Sequence, residues 1–465
     1  MKDKMTQSRR NFIKTASLAA LGLSAPASAM VQLKALNSLM SAPPVLPFGN
    51  YKALVFVFLG GGNDSFNMLA PKSNTEYGHY ATTRSNLAIP QNDLLGISSN
   101  DFGLHPSLTG VKQMFDNGDL AMLANVGTLI EPTTVAQYQN GTVPIPLGLF
   151  SHLDQYNHWQ TAQPQMRVNK GWGGKIADMV GSTNVNQNIS MNVSLGGSNL
   201  FQAGNTTVPF SMNRNGPKLP LYYDATWGNN EARKAMTDSL LYHNYQDPFQ
   251  KTYADTFRES LEAGIEFKQA IDALPPFTTT FSTANISQEL EMVAKTIAVR
   301  NTLGFERQIF FLRHNGWDHH DDLLTRQADG LADINAAMVE FKQALDEMGM
   351  FDDVTTFVGS EFARTLTSNG NGSDHAWGGN AMVMGGDVIG NQIYGSYPSL
   401  EIGSTQYIDG GVIAPTMATD SLFSELALWY GLTPSDLSTI FPNVANFHNL
   451  ATISTSNPPI GFLNM

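Results

Sequence analysis

The stretch ALVFVFLGGGND, residues 53–64, sets seven apolar residues in unbroken succession ahead of three glycines and an acid. Alternating hydrophobicity marks a strand with one wet face, whereas a continuous run marks a strand covered on both faces, as in a parallel sheet. The pattern recurs along the chain. HPSLTGVKQMFDNGDLAMLANVG (105–127) carries apolar positions at helical spacing and then a second buried strand. ISQELEMVAKTIAVRNTLGFERQIFFLRHNGWD (286–318) and LADINAAMVEFKQALDEMGMFDDVTTFVGSEF (331–362) repeat helix then strand. Helices alternating with buried strands predict an α/β fold, a doubly wound, mostly parallel sheet with helices on both faces.

Residues 165–285 change character. GSTNVNQNISMNVSLGGSNLFQAGNTTVPFSMN (181–213) is rich in Ser, Thr and Asn with alternating apolar positions, which predicts short antiparallel strands. Residues 229–273 then show a helical period. The block reads as a cap inserted into the main domain of residues 51–465. No internal repeat is visible.

The N-terminus has a separate purpose. SRRNFIK (8–14) precedes a modest apolar run and the small-residue site Ala27-Ser28-Ala29. A paired arginine ahead of such a run is a twin-arginine export signal, expected over residues 1–29 with a flexible stem over 30–50. The expected partner is the Tat export machinery and the expected location is the periplasm or the exterior. The run is too short to leave a stable membrane span after cleavage.

Composition narrows the chemistry. The 465 residues carry a net charge of −13, and residues 1–29 hold five basic side chains against one acid, so the mature chain is more acidic still. Phosphate-rich partners repel such a surface, which excludes nucleic acid. There is no cysteine, which excludes disulfides, thiolate metal sites and cysteine nucleophiles. Any metal must be held by histidine, carboxylate, carbonyl or water. The glycine-rich stretches match no phosphate-binding loop, since no G-K-[ST] follows them.

In doubly wound sheets ligands bind beyond the carboxyl ends of the strands. After ALVFVFL comes Asp64. After the strand at 120–126 a loop leads to FSHLDQYNHW, with Ser151, His152, Asp154 and His158. RQIFFLR is followed by NGWDHHDD, and DVTTFVGS by Glu361 and Arg364. NGNGSDHAWGGN then supplies Asp374 and His375. Acids and imidazoles thus fall repeatedly in one class of position, a pattern suited to a divalent metal, zinc or manganese better than calcium. Within NGWDHHDD, Asp318 and His320 point the same way on an extended loop, and His319 and Asp321 are expected to face solvent. His105 and His158 are expected as packing histidines.

Together GGNDSFN, FSHLDQYNHW, NGWDHHDD, SEFART, NGNGSDHAWGG and GGDVIGNQIYG resemble a family of Tat-exported bacterial proteins of unassigned function within the alkaline phosphatase and sulfatase superfamily. The likeness runs from about residue 51 to 463. It implies an alkaline-phosphatase-like fold and a metal-dependent hydrolase of phosphate or sulfate esters, with a small anionic ester as substrate. It also implies one or two metal ions held by Asp64, Asp318, His320, Glu361 and His375, with a metal-activated Ser151 as nucleophile. His152, Asp374 and Arg364 are implied as supporting or substrate-binding residues. The chain departs from the superfamily at Glu361-Phe362, where that pattern has Asp-His, and Phe362 cannot ligate. That departure favours a rival reading, a non-catalytic exported binding or assembly protein that keeps the fold with a degraded metal site.

Overall fold

The computed structural model describes residues 50–98, 101–224 and 228–465. The twin-arginine segment, and the stem up to residue 49, lie outside the described residues.

The apolar run that opens the domain is the strand β1 (Lys52–Gly60), and it is central to a ten-stranded sheet. The other long strands are β2 (Leu120–Gly127), β5 (Arg307–Asn315), β6 (Val354–Ser360) and β7 (Gly379–Met384). Two short ones, β3 (Asn192–Ser194) and β4 (Phe210–Asn213), continue the sheet beyond β5. The spatial order is β2-β7-β6-β1-β5-β3-β4, with short two-residue strands at both margins. Strand β1 pairs in parallel with β6 on one side and β5 on the other, and β7 runs antiparallel between β6 and β2. The expected mostly parallel sheet is therefore present. The short strands within 181–213 differ from expectation: β3 pairs in parallel with both β5 and β4, and only Gly216–Pro217 returns antiparallel to β4. Alternation along a few residues identifies a strand but carries no information about the direction of its neighbour.

Helices cover both faces. Phe56 and Phe58, two apart on β1, point to one face, where Phe56 stacks on Phe357 of β6 at 4.1 Å and Phe58 meets Trp159 edge-on. That face is closed by α2 (His152–Thr161), α3 (Trp172–Val180) and α7 (Thr419–Tyr430), with Trp172 stacked on Phe423 at 4.7 Å. On the other face α1 (Thr109–Asn117), α5 (Asn285–Ala298) and α6 (Leu323–Met348) pack on one another and on β2 and β5. Each fully buried aromatic contributes roughly 1.5–3 kcal/mol through area removed from water. Between these helical faces lies α4 (Pro248–Asp272) in sequence, started by Asp247, whose side chain accepts the Phe249 and Gln250 N–H groups. Among the described residues no helix is long and apolar enough to cross a membrane.

One buried acid outside the sheet edge gives the fold a pH dependence. Burial pushes the Asp420 carboxyl, on α7, up to about 8, against the pull of nearby backbone N–H groups. The folded state therefore keeps a proton that the unfolded chain releases near pH 4. Between those values folding stability falls as pH rises, by at most about 1.4 kcal/mol per pH unit. Asp420→Asn should flatten the decline of the melting temperature between pH 6 and 8, read by thermal melts at several pH values.

Candidate metal centre

Register brings the site together. Leu59 lies opposite Ser360 on β6, and Gly60 opposite Asn315 on β5, so three segments leave the sheet at one level. The antiparallel β7 enters the sheet from the same edge, which delivers His375 there just before its first residue. The glycines after β1 allow the segments to converge. Gly61 and Gly62 have φ of +128° and +80°; a Cβ on Gly61 would sit 2.4 Å from the Asp318 nitrogen, and one on Gly62 2.4 Å from the Phe362 ring. Gln327 of α6 ties down the loop by donating to Asn63 Oδ1 and the Asp64 carbonyl.

At this edge three imidazoles surround one carboxylate. Asp318 Oδ1 lies 3.4 Å from His152 Nε2, 3.0 Å from His320 Nε2 and 3.4 Å from His375 Nε2. One ligand atom each from His152, Asp318 and His375 falls within 4.8 Å of the others. Each ring is held from its far side. His152 Nδ1 meets Glu361 Oε1 at 2.9 Å, His320 Nδ1 meets Asp374 Oδ1 at 3.1 Å, and His375 Nδ1 meets the Phe150 carbonyl at 2.8 Å. Carboxylates and carbonyls only accept, so the ring proton of each neutral imidazole sits on Nδ1 and the lone pair on Nε2. The Nε2 atoms of His320 and His375 then face each other at 3.1 Å, lone pair to lone pair. His152 Nε2 is buried without a hydrogen-bond partner. Such an arrangement repels itself unless a cation or a proton lies among the three nitrogens. Far-side acceptors that fix tautomer and ring direction are also the usual support of metal-bound histidine. The donor set fits a divalent metal.

Electrostatics follow from the same contacts. The hydrogen bond to Glu361 holds the His152 pKa above the ordinary histidine value, against burial. Burial lowers His375, only partly offset by its bond to Phe150. Burial works to raise Asp318, but the hydrogen bond and charge of Arg364, with His152 and His320, hold it below the usual carboxylate range. Phe362 wedges against two of the rings, 4.9 Å from His152 and 4.9 Å from His375, and so packs the ligands where it cannot serve as one.

The remaining sequence-selected residues are placed as follows. Asp64 is fully buried and forms an ion pair with Arg84, itself fully buried. Burial nonetheless raises its carboxyl against the charges of Arg84 and Arg364. Glu361 is buried too, and accepts from the Gly61 N–H at 2.8 Å and the Ser360 hydroxyl at 3.0 Å as well as from His152. Arg364 donates to Asp318 at 2.8 Å, to the Gly61 carbonyl and to the Ser373 carbonyl, all from a fully buried position. Ser151 is the N-cap of α2, its hydroxyl accepting from the Asp154 N–H at 3.4 Å. His319 corrects the sequence reading: it is buried, with its pKa pushed down by that burial to about 4. The loop is not extended there, because the His319 N–H bonds to Trp317 and the His320 N–H to Asp318, two residues back in each case. Asp321 is exposed, as alternation implied, and His105 and His158 are buried packing histidines.

Two features were beyond sequence reasoning. His152 stands among the ligand atoms rather than behind them; its place as first residue of a helix capped by serine was the available signal. Arg84 closes the helix Asn74–Arg84, and nothing in its local sequence points to Asp64. With Glu361 as the support of His152, Glu361→Gln should weaken binding of zinc about 10–100-fold, measured by competition with a chromogenic chelator.

Among curated proteins there is no match. Solved structures resemble the chain loosely. "Ps i-CgsB in complex with k-i-k-neocarrahexaose" aligns with 86% of this chain and 77% of its own at 8% identity and a TM-score of 0.35. A mutant of the alkaline phosphatase PafA aligns over 69% of this chain and 64% of its own, with 12% identity and a TM-score of 0.29. The PsFucS1 sulfatase from Pseudoalteromonas sp. aligns over 76% and 65%, with 10% identity and a TM-score of 0.32. Likeness at that level says nothing of chemistry. The family model is more decisive: matched over residues 51–408, the chain belongs to the family described as "Protein of unknown function (DUF1501)".

Proposed function

We propose that this chain is an exported hydrolase of phosphate or sulfate esters that works with a bound divalent cation, zinc or manganese. The observation that carries the reading is the convergence of three imidazole Nε2 atoms on the Asp318 carboxylate, each ring fixed from behind. His152, Asp318 and His375 would hold the ion, with His320 beside them. Three protein ligands and an open position are the usual make-up of a catalytic rather than a structural ion site. Bound there, the ion supplies a Lewis acid for an anionic ester oxygen and a means of deprotonating a hydroxyl near neutral pH.

Ser151 is the candidate nucleophile. It precedes His152 directly and opens α2, whose N-terminal N–H groups favour an anion. Its oxygen would bond to phosphorus or sulfur as the alcohol oxygen leaves with a proton, and water would then release the inorganic anion. Arg364 is too buried to touch substrate and instead fixes the charge and direction of Asp318. The substrate is a small anionic ester, and the twin-arginine segment supports export to the periplasm or beyond.

A second reading has one observation in its favour. Phe362 packs against two of the ligand histidines, which suits a site that holds an ion for binding or assembly without turnover. Elemental analysis of protein purified without chelator, followed by a screen with aryl phosphates and aryl sulfates, separates the two. Bound metal with turnover that Ser151→Ala and Asp318→Ala both abolish is the expected result. Bound metal without turnover selects the binding protein, and a chain with no affinity for zinc or manganese removes both readings.

A further inference from the structure

The acids at this edge differ in what already engages them, and that difference sets how many cations the centre takes. Asp64 gives Oδ2 to Arg84. Glu361 Oε1 is engaged by the Gly61 N–H and His152, while Oε2 shares the single Ser360 hydroxyl proton, at 3.0 Å, with the Leu59 carbonyl at 2.6 Å. Asp374 orients His320 and accepts from Asn369. That leaves one donor set among the described residues, His152, Asp318 and His375, with His320 beside them.

A second ion would need roughly three or four further donors of its own. The one oxygen left over deep in the site, Asp64 Oδ1, has no hydrogen-bond partner. It sits on a carboxylate already paired with Arg84 and within the field of Arg364, and guanidinium groups do not lose their protons in proteins. A dication there would displace or crowd the buried Arg84 guanidinium that pairs Asp64, in a medium that screens poorly.

We infer that the centre takes a single divalent cation per chain, held by His152, Asp318 and His375 with His320 beside them, and that Arg84 supplies to Asp64 the fixed positive charge a second ion would have brought. This rests on the cation-binding reading above, but its test is separate. Arg84 is thereby a positioning residue: it neutralises Asp64, keeps the loop after β1 in place through that carboxylate, and adds nothing to the ligand set. Its further bonds, to the carbonyls of Thr365 and Leu366, join the same loop to the segment that carries Glu361 and Arg364.

The test is a count of ions. The chelator-stripped full-length protein is titrated with zinc, and separately with manganese. Weakly held ions are removed by gel filtration over a mild chelator, and metal per chain is measured by elemental analysis. A plateau at one ion per chain is expected. It should persist in Asp64→Asn, while His375→Ala raises the dissociation constant by about 100-fold or more, as loss of a direct ligand must exceed loss of a supporting one. A plateau at two overturns the inference and leaves the hydrolase reading standing. A plateau at zero overturns both. Asp64→Asn that melts cooperatively but has lost its ion also overturns the inference, because it makes Asp64 a ligand.

Discussion

Arg84→Leu should cost about 3–5 kcal/mol of folding stability, the size expected when one partner of a buried ion pair is removed. The side chains of Arg84 and Asp64 are both fully buried, and Asp64 Oδ1 has no other hydrogen-bond partner to fall back on. Leucine would also strand the Thr365 and Leu366 carbonyls that Arg84 now satisfies. Two controls make the result specific. Adding Asp64→Asn to Arg84→Leu should recover a large part of the loss, because no unpaired charge is then buried. The single variant should also regain stability as pH is lowered. Burial already raises the Asp64 carboxyl with Arg84 present; without Arg84 its folded pKa lies higher still above the unfolded value, so the folded state takes up the extra proton. Urea denaturation at pH 5 and pH 8 measures both effects. A loss below about 1 kcal/mol, the scale of an exposed pair, would show that the two residues do not form a buried ion pair in solution.

On the hydrolase proposal, Asp318→Ala should abolish ester hydrolysis, with kcat/KM falling by at least about 100- to 1,000-fold, or roughly 3–4 kcal/mol of transition-state stabilisation. Its carboxylate is the one group that all three Nε2 atoms and Arg364 approach, so its removal takes away the only anionic donor of the centre and leaves Arg364 without its charge partner. Because Asp318 is about half exposed, the fold itself should survive. Metal content should drop together with activity. Asp318→Asn separates the two roles: it keeps an oxygen near Arg364 but removes the charge, and should lose metal while melting near wild type. Retained activity in either variant would place the chemistry elsewhere on the molecule.

The sheet was legible from hydrophobic patterning alone. Seven consecutive apolar residues at 53–59 have no dry alternative but a position between two layers, and β1 is buried along nearly its whole length. The rule that ligands gather beyond strand ends then selected Asp318, His320 and His375, which do converge. The same reasoning was insufficient wherever distance in sequence hid a contact. Asp64 and Glu361 carry the right chemistry at the right strand ends, yet Arg84 holds one and His152 engages the other. His319 was assigned to solvent on a period of two that its turn-forming backbone does not obey. The direction of β3 and β4 was equally out of reach, since two or three alternating residues fit a neighbour of either sense.

By itself, then, the chain determined a buried parallel sheet, the edge at which function gathers, and an acidic, cysteine-free inventory that leaves histidine and carboxylate as the ligands. Those properties are local or additive: each follows from the periodicity of a segment or from a sum over residues. Only the tertiary structure decided which partner each of these acids meets. That depends on groups 20 to 300 residues apart in sequence meeting within 3 Å, as Arg84 does with Asp64 and Gly61 with Glu361. Electrostatic and hydrogen-bond partnership falls off over a few ångströms, and no sequence pattern encodes separation in space at that precision.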